Sequence, residues 1–292
     1  MSRKNPFVSV IIPTYHDWER LKLCLEALKL QTYPQDRFEV IVINNDPEDP
    51  VPEIVLPPNF QIILESKPGS YAARNKGISI AKGEVLAFTD SDCIPWEDWI
   101  VKAVKRLLDG AERVGGWVEL FYHSEKLSCA EIFDKVYGFS QEEYVADGWS
   151  VTANMIAWCR FFEIVGPFNE SLMSGGDMEW GIRAKNKGIS IEFGKEVVVR
   201  HPARSKMEDL KKKKRRIMGG KANISHSIRG RKKFWVISGL MPPVIALLKL
   251  RKRKDITLYE KTVALGVLYY LKVYSTLQGI KYLFGLEKPE RS

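Results

Sequence analysis

Two carboxylates stand directly after a short apolar run, and they are the strongest sign of chemistry in the sequence. The run EVLAFT at residues 84–89 predicts a buried strand, and it ends in Asp90-Ser91-Asp92. Because ligands of open α/β sheets bind outside the carboxyl ends of the strands, we expect these side chains to face a ligand. Carboxylates two residues apart can share Mg²⁺ or Mn²⁺ and leave coordination positions for phosphate oxygens. The alternative interpretation is an Asp-rich turn that caps the next helix.

Polar residues also follow two other predicted strands. The first strand ends in Pro13-Thr14-Tyr15, where an aromatic ring could hold a nucleobase, and the second ends in Asn44-Asn45-Asp46, which can bind base or ribose. Arg74 lies on a predicted helix with small residues before it, and its fork of donors suits a diphosphate. Taken singly, the residues after the two strands are better explained as ordinary turns. The Arg74 segment is more specific, and its alternative is a surface arginine on an amphipathic helix.

The elements that would position these residues alternate between strand and helix. The early strand segments are apolar without alternation, which is typical of strands buried on both faces of a parallel sheet. Alternation of such strands with helices indicates βαβ units and an α/β fold. We predict strands at 7–13, 38–44, 60–65, 84–89, 114–122, 189–193 and 196–200, and helices at 17–30, 70–82, 99–108, 128–141, 161–165 and 177–187.

The positive charge of the chain is concentrated in one segment. The 292 residues contain 45 Lys and Arg against 36 Asp and Glu, and residues 201–233 alone hold 13 against 2. No aromatic residue lies between 204 and 233, and no nucleic-acid-binding motif is present, so we expect an anionic membrane surface as the partner and no nucleic acid. A solvated helix face is the alternative.

The tail also carries an apolar stripe at helical spacing over residues 263–284, interrupted by Lys272, Gln278 and Lys281. This pattern predicts an amphipathic helix rather than a membrane span. The four cysteines form no CxxC pair, and residues 1–6 contain no signal-peptide core. We therefore expect a cytoplasmic protein that lies peripherally at the inner face of the cell membrane.

Taken together, the segments VSVIIPTY, EVIVINND, YAARNKGI and EVLAFTDSD resemble, in this order, the nucleotide-diphospho-sugar-binding half of family 2 glycosyltransferases. The resemblance continues through residues 152–155, 165–169 and 175–183, and it covers about residues 7–203. It implies a GT-A fold in residues 1–203, with a mostly parallel central sheet and flanking helices. The donor would bind in about residues 1–100 and the acceptor in about 101–203, while residues 204–292 form a basic and hydrophobic helical tail.

The resemblance implies a role for each candidate residue on the donor side. Asp46 would contact the base or ribose, with Tyr15 near the base. Asp90 and Asp92 match the acidic pair that holds Mg²⁺ or Mn²⁺, and His201 could add a ligand or a phosphate contact, although a lone histidine is more often structural. The remaining donor contacts would come from Pro13, Thr14, Arg74 and Ser91.

On the acceptor side the resemblance implies a catalytic base. Asp177 matches the carboxylate of the family's Glu-Asp pair, which takes the proton of the acceptor hydroxyl. Here the pair reads Gly176-Asp177, so Glu179 is the second candidate for the base. The structural alternative for Asp177 is a helix N-cap. Trp180 is the candidate for stacking on an acceptor sugar.

The expected activity is that of an inverting, metal-dependent glycosyltransferase. It would move a sugar from a nucleotide-diphosphate donor to a hydroxyl of a lipid-linked or polysaccharide acceptor. A sugar nucleotidyltransferase is one alternative, but the first strand ends in PTYHD rather than in a Gly-rich loop. A non-catalytic, membrane-bound protein that binds nucleotide sugars is the other, and the intact acidic pair and Asp177 argue against it.

Overall fold

The computed structural model describes residues 5–224 and 241–283. The chain divides into two compact units, each formed from two stretches of sequence. The first unit comprises Met1–Glu119 and Ser140–His201, and the second comprises Leu120–Phe139 and Pro202–Ser292.

An eight-stranded sheet has the spatial order β3-β2-β1-β4-β7-β6-β8-β5. The strands are β1 (Val8–Thr14), β2 (Phe38–Asn44), β3 (Phe60–Leu64), β4 (Val85–Thr89), β5 (Ile94–Pro95), β6 (Arg113–Phe121), β7 (Asn154–Trp158) and β8 (Glu192–Pro202). The pairs β3–β2, β2–β1 and β1–β4 are parallel, whereas β4–β7, β7–β6 and β5–β8 are antiparallel. The predicted α/β class is confirmed, and the parallel half of the sheet is the part formed by the first four strands.

The strands at the centre of the parallel half are apolar because both of their faces are covered. Every residue of β2 and of β4 is buried. The helices of this unit are α1 (Trp18–Lys29), α2 (Ser70–Ile80), α3 (Trp99–Leu108), α5 (Gln141–Asp147), α6 (Arg160–Val165) and α7 (Gly176–Asn186). α2 packs against β1 and β2, which fixes the start of this helix near the carboxyl edge of the sheet.

A buried asparagine ties the antiparallel half together. Asn154 at the start of β7 donates from Nδ2 to the carbonyl oxygens of Trp117 on β6, at 2.8 Å, and of Val197 on β8, at 2.9 Å. Its Oδ1 accepts from the indole N–H of Trp99 at 2.9 Å. A Cβ at Gly116 would lie 2.4 Å from this amide nitrogen, so the close approach requires glycine there.

Several elements differ from the sequence prediction, and β5 and α5 are among those that it lacks. β7 was not predicted, since its first residue is the polar Asn154. The two strands predicted at 189–193 and 196–200 are one strand, β8, which passes through Gly194. A Cβ on Gly194 would lie 2.9 Å from Val114, so tight packing rather than a turn explains this glycine. The helix predicted at 128–141 ends earlier, at Tyr137.

The second unit is built from helices α4 (Cys129–Tyr137), α8 (Met207–Ile224), α9 (Val244–Arg251) and α10 (Leu258–Leu283). α4 begins with a capping box, in which Ser128 and Glu131 exchange side-chain and backbone hydrogen bonds. Two apolar clusters hold the helices together, and they contain Ala130, Phe133, Leu210, Val267 and Leu271, and Ile132, Val136, Leu250, Ile256 and Ala264.

The helix that carries the apolar stripe predicted over residues 263–284 contributes to this core. Val267 of the stripe and the neighbouring Leu271 are buried against α4 and α8, and Ala264 is buried in the second cluster. Tyr270 and Leu277 of the same stripe are 46% and 52% exposed, so the core covers only part of the stripe, and contact of its exposed part with a membrane stays a prediction. In the described part of the chain, no helix has both the length and the apolar character needed to cross a membrane. Residues 225–240 and 284–292 of the predicted tail lie outside the described residues.

Candidate active site

The carboxyl ends of β1, β2 and β4 lie side by side, so the loops that follow them share one edge of the sheet. Thr14 pairs with Asn44 across β1 and β2, and Ile11 pairs with Phe88 across β1 and β4. Residues 15–17, 45–46 and 90–92 therefore meet at this edge, where ligands of α/β sheets bind.

The two carboxylates that follow β4 have different partners. Arg74 donates from Nη2 to Asp90 Oδ1 at 2.5 Å. Asp92 Oδ2 lies 3.3 Å from Arg20 Nη1 and 3.3 Å from His201 Nε2. Asp90 is therefore fixed by a buried arginine, whereas Asp92 lies between an exposed arginine and a buried histidine.

Arg74 was selected from the sequence as a diphosphate ligand, and in the structure its partner is Asp90. Its side chain is 5% exposed, and Nη1 donates to the carbonyl oxygen of Ser70 at 3.3 Å. Its Nε has no hydrogen-bond partner among the described residues. The structure therefore supports Arg74 as the residue that positions Asp90, and a direct contact with a diphosphate stays a prediction.

Strand pairing explains why His201 reaches Asp92. The short strand β5 follows Asp92 by one residue and pairs with β8, so that Ile94 lies opposite Arg200. His201 is the next residue of β8, and it is buried. The structure thus brings the predicted residue His201 to the acidic pair.

A polar network links the acidic loop to the start of α1. The Ser91 hydroxyl donates to Asp17 Oδ2 at 3.1 Å, and Arg20 Nε donates to Asp17 Oδ1 at 2.7 Å. Since Arg20 also reaches Asp92, the network holds Ser91 and Asp92 of the acidic loop. Asp17 and Arg20 were missed in the sequence, although their position just after β1 places them at the same edge.

The residues after β1 and β2 form a second polar group. His16 Nε2 lies 2.8 Å from Asp46 Oδ2, and the exposed ring of Tyr15 packs edge-on against the His16 ring. The Glu48 N–H donates to Asp46 and, with His16, lowers the pKa of this carboxyl. Asp46 is therefore an ionised acceptor that lies beside an exposed aromatic ring, as a base or ribose contact requires.

Hydrogen bonds of the neighbouring Asn45 hold the loop that carries Asp46 in place. Asn45 donates to the carbonyl oxygens of Glu65 and Lys67, and its Oδ1 accepts the Gly69 N–H at 2.8 Å. The Asn45 N–H donates to the Thr14 carbonyl oxygen at 2.9 Å. Pro13 and Thr14 are the last residues of β1, and the buried Thr14 hydroxyl has no hydrogen-bond partner within the described chain.

Asp177 lies in the first turn of α7 and is held by two donors. The Tyr71 hydroxyl donates to its Oδ1 at 3.2 Å, and the Met178 N–H donates to the same oxygen at 2.9 Å. Burial raises the pKa of Asp177, with a smaller contribution from the charge of Asp90, while both donors and the charge of Arg74 oppose the increase. A carboxylate with a raised pKa is a stronger base, as proton abstraction requires. The N-cap of α7 is Gly175, so Asp177 is not the cap.

The glycine before Asp177 makes room for Tyr71. A Cβ on Gly176 would lie 2.7 Å from Cε2 of the Tyr71 ring, closer than side-chain atoms approach. Burial, with a smaller effect of the Asp177 charge, raises the pKa of Tyr71 above its ordinary range, so its hydroxyl remains a donor. The departure from the Glu-Asp pattern thus has a physical counterpart. Tyr71 was missed in the sequence because its partner lies far along the chain.

Glu179, the second candidate for the base, is engaged elsewhere. Arg183 donates from Nε to Glu179 Oε1 at 2.7 Å and from Nη2 to Oε2 at 3.0 Å. Arg183 also donates to the carbonyl oxygens of Val165 and Pro167, which ties the pair to the turn that follows α6. Because both oxygens of Glu179 accept from Arg183, we favour Asp177 as the base.

Trp180 requires a correction. It is fully buried, its indole N–H donates to the Gly166 carbonyl oxygen at 2.9 Å, and its ring stacks on Phe162 with centroids 4.3 Å apart. Phe168 and Arg113 lie against the same ring. Trp180 is thus a core residue in this structure and has no face open to an acceptor sugar.

The residues at the acidic pair fit a hard divalent cation whose coordination sphere is completed by the phosphates of a bound substrate and by water. Nowhere in residues 5–224 and 241–283 do three His, Cys, Asp or Glu side chains stand ready to hold a metal. Burial, with smaller contributions from the charges of Asp92 and Asp90, raises the pKa of Cys24 and Cys93, which keeps these two thiols protonated. Asp92 and His201 can supply two ligands, and Mg²⁺ and Mn²⁺ usually take the remainder from phosphates and water.

Fold and site together define an α/β enzyme with its ligand site at the carboxyl edge of the sheet. The sequence profile of glycosyl transferase family 2 matches residues 9–144. Glycosyltransferase AglE of Haloferax volcanii is 37% identical over 258 residues, which cover 83% of this chain and 84% of AglE. The chain belongs to glycosyltransferase family 2, and it is a glycosyltransferase with the predicted α/β fold.

Two further proteins are similar over most of the chain. A Methanococcus voltae enzyme is 22% identical over 69% of this chain and 68% of its own, and its name is dolichyl N-acetyl-alpha-D-glucosaminyl phosphate 3-beta-D-2,3-diacetamido-2,3-dideoxy-beta-D-glucuronosyltransferase. The mannosyltransferase PcManGT from Pyrobaculum calidifontis, solved in complex with GDP-Man and Mn²⁺, is 16% identical. It aligns with a TM-score of 0.48 over 97% of this chain and 76% of its own. Membership of the family sets aside the two alternatives considered above, a nucleotidyltransferase and a non-catalytic binding protein.

Proposed function

We propose that the protein is an inverting, divalent-metal-dependent glycosyltransferase that uses a nucleotide-diphosphate sugar. The observation that carries this proposal is the chain of contacts from Asp177 through Tyr71 and Arg74 to Asp90. It links a half-buried carboxylate with a raised pKa to the acidic pair at the sheet edge. Such an arrangement suits a base on one side of a sugar and a diphosphate leaving group on the other.

In the proposed reaction, the oxygen of an acceptor hydroxyl bonds to the anomeric carbon while the bond from this carbon to the diphosphate oxygen breaks. Asp177 takes the proton of the hydroxyl, and the nucleoside diphosphate leaves on the opposite face, so the anomeric configuration inverts. Asp46 and Tyr15 would hold the nucleoside, and Arg74 keeps Asp90 in place. Asp92 and His201, with Asp90, would hold Mg²⁺ or Mn²⁺, which supplies positive charge for the leaving diphosphate.

The proposed acceptor is a saccharide or a lipid-linked saccharide, used at the cytoplasmic face of the cell membrane. Two features support this proposal. The Methanococcus voltae relative carries a dolichyl phosphate-linked acceptor in its name. The second unit carries the basic run from Lys211 to Arg216 on α8, and its exposed members, Lys212 and Arg216, suit an anionic lipid surface.

The test is an assay of nucleoside diphosphate release from a panel of nucleotide-diphosphate sugars, with Mg²⁺, with Mn²⁺ and with excess EDTA. We expect turnover with one of the ions and none with EDTA. Asp92→Asn should lose at least about 100-fold in turnover, because charge stabilisation of several kcal/mol is removed. Asp109→Asn, an exposed carboxylate after α3, is the matched control and should keep full activity. Full turnover in EDTA, or by Asp92→Asn, would contradict the metal proposal.

A further inference from the structure

α9 exposes most of its apolar side chains, which is unusual for a short helix on a folded unit. A surface helix normally buries its apolar stripe, and patches of exposed apolar residues mark interaction sites. In α9 Leu250 is buried in a core cluster, whereas four aliphatic side chains are between 47% and 75% exposed, namely Val244, Ile245, Leu247 and Leu248. Met241, just before the helix, is 59% exposed.

The charges next to this apolar face have one sign. No acidic residue lies in α9, and five exposed cations follow its apolar face within six residues: Lys249, Arg251, Lys252, Arg253 and Lys254. The first acid, Asp255, accepts two hydrogen bonds from Arg253. Long basic side chains can keep their charges at a polar boundary while the adjacent apolar residues go deeper.

Length and sequence decide how such a helix could meet a bilayer. Eight residues of α-helix rise about 12 Å, well short of a hydrocarbon core of about 30 Å. Pro242 and Pro243 precede the helix and prevent its extension towards the N-terminus. Exposed apolar side chains that are followed directly by a run of cations suit a short helix that dips into an anionic membrane surface.

We propose that α9 is the element that inserts into the membrane, with Val244, Ile245, Leu247 and Leu248 in the interface and the following cations on anionic headgroups. This inference rests on the proposed function at a membrane surface and names the residues that make the contact. It is separate from the expectation for the 263–284 stripe, of which Val267 packs on α4 and α8, and it commits to an anionic bilayer as the occupant of this face.

The test compares full-length variants in co-sedimentation with phosphatidylcholine vesicles that do or do not contain 30% phosphatidylglycerol. Ile245→Glu/Leu248→Glu places two negative charges on the apolar face. The control is Leu30→Glu/Val55→Glu, which makes the same change at two exposed apolar positions of the first unit. We expect the α9 variant to lose at least tenfold in binding to the anionic vesicles and the control to bind like wild type.

Salt separates insertion from electrostatic attraction. The Debye length falls from about 10 Å at 0.1 M to about 3 Å at 1 M salt. In 1 M NaCl we expect wild type to keep part of its binding and the α9 variant to lose all of it. The proposal would be overturned if the α9 variant bound anionic vesicles as well as wild type does, or if wild type bound neutral and anionic vesicles equally. It would also be overturned if the control variant lost as much binding as the α9 variant.

Release of nucleoside diphosphate without vesicles tells the two proposals apart. The α9 variant and the control should both keep wild-type turnover and wild-type melting temperature, since all four positions are exposed. If the wild-type protein binds anionic vesicles but neither it nor any variant turns over, the proposed chemistry is contradicted and the role of α9 remains supported. If the wild-type protein turns over but does not bind anionic vesicles, only the role of α9 is overturned.

Discussion

Removal of the Tyr71 hydroxyl should move the acid limb of the pH–rate profile to higher pH. In the structure this hydroxyl donates to Asp177, and its effect is to lower the pKa of a carboxyl that burial has raised. Tyr71→Phe keeps the ring against Gly176 and removes one of two donors on Oδ1. The ionised form of Asp177 then loses stabilisation, so its pKa rises, and a higher pH is needed to deprotonate the base.

The size of the effect follows from the hydrogen bond. Hydrogen bonds to charged groups contribute about 1.5–3 kcal/mol, and a bond of 3.2 Å lies beyond the usual O–H···O range. The lower end of that range applies, and about 1.4 kcal/mol corresponds to one pH unit. We expect the acid limb of kcat/KM to rise by about one pH unit. The plateau at higher pH should stay within about threefold of wild type, since Asp177 still acts as the base.

The assay is release of nucleoside diphosphate between pH 5 and 9, with the donor that turns over best. Tyr33→Phe is the matched control, because its buried hydroxyl donates to the Pro6 carbonyl oxygen at 2.7 Å and has no contact with Asp177. Tyr33→Phe should lower the melting temperature, and the acid limb of its pH–rate profile should lie at the same pH as in wild type. A limb that stays in place or moves to lower pH in Tyr71→Phe would refute the role of the hydroxyl. An equal shift in both variants would point to a general loss of stability.

Two further predictions concern the identity of the base and the stability of the second unit. Asp177→Asn should lose about 10²–10⁴-fold in turnover with normal donor binding by calorimetry, whereas Glu179→Gln should lose less, and the reverse order would exchange their roles. Lys135 and the Thr257 N–H lower the pKa of Glu260 to about 2 from an ordinary 4.5, so the stability from this pair is present above pH 4.5 and is lost as the pH falls towards 2. Between pH 5 and 2 the melting temperature should therefore fall less in Glu260→Gln than in wild type. Glu19→Gln, which removes an exposed ion pair, is the control and should behave like wild type. An equal fall of the melting temperature in all three proteins would contradict the assignment.

The parallel half of the sheet could be predicted from the sequence because its strands are buried on both faces. A continuous apolar run such as FEVIVIN marks β2 without any knowledge of its neighbours. The same rule placed Asp46 and Asp90 at the ends of strands, where the structure has them. These assignments depend on local sequence alone, which is why they could be made.

The features that could not be predicted depend on partners far along the chain. Asn154 begins a strand because carbonyl oxygens of β6 and β8 accept its amide N–H groups. Val267 of the 263–284 stripe looks like part of a free amphipathic face, and only the presence of α4 and α8 shows that it is covered. The apolar face of α9 is the opposite case. Its apolar residues could equally lie in a core, and only the structure shows that they are exposed.

At Gly176 a local feature of the sequence is explained by a contact with a residue far along the chain. In the sequence it is a departure from an expected pair, and it weakens the case for Asp177 as a base. In the structure it is the position that lets the Tyr71 ring approach, and the hydroxyl of that ring then donates to Asp177. A side chain at residue 176 and the ring of Tyr71 cannot occupy the same space, so the two positions constrain each other across the fold. The departure is therefore an argument for Asp177, because the space left by the missing side chain is filled by a group that holds the carboxylate.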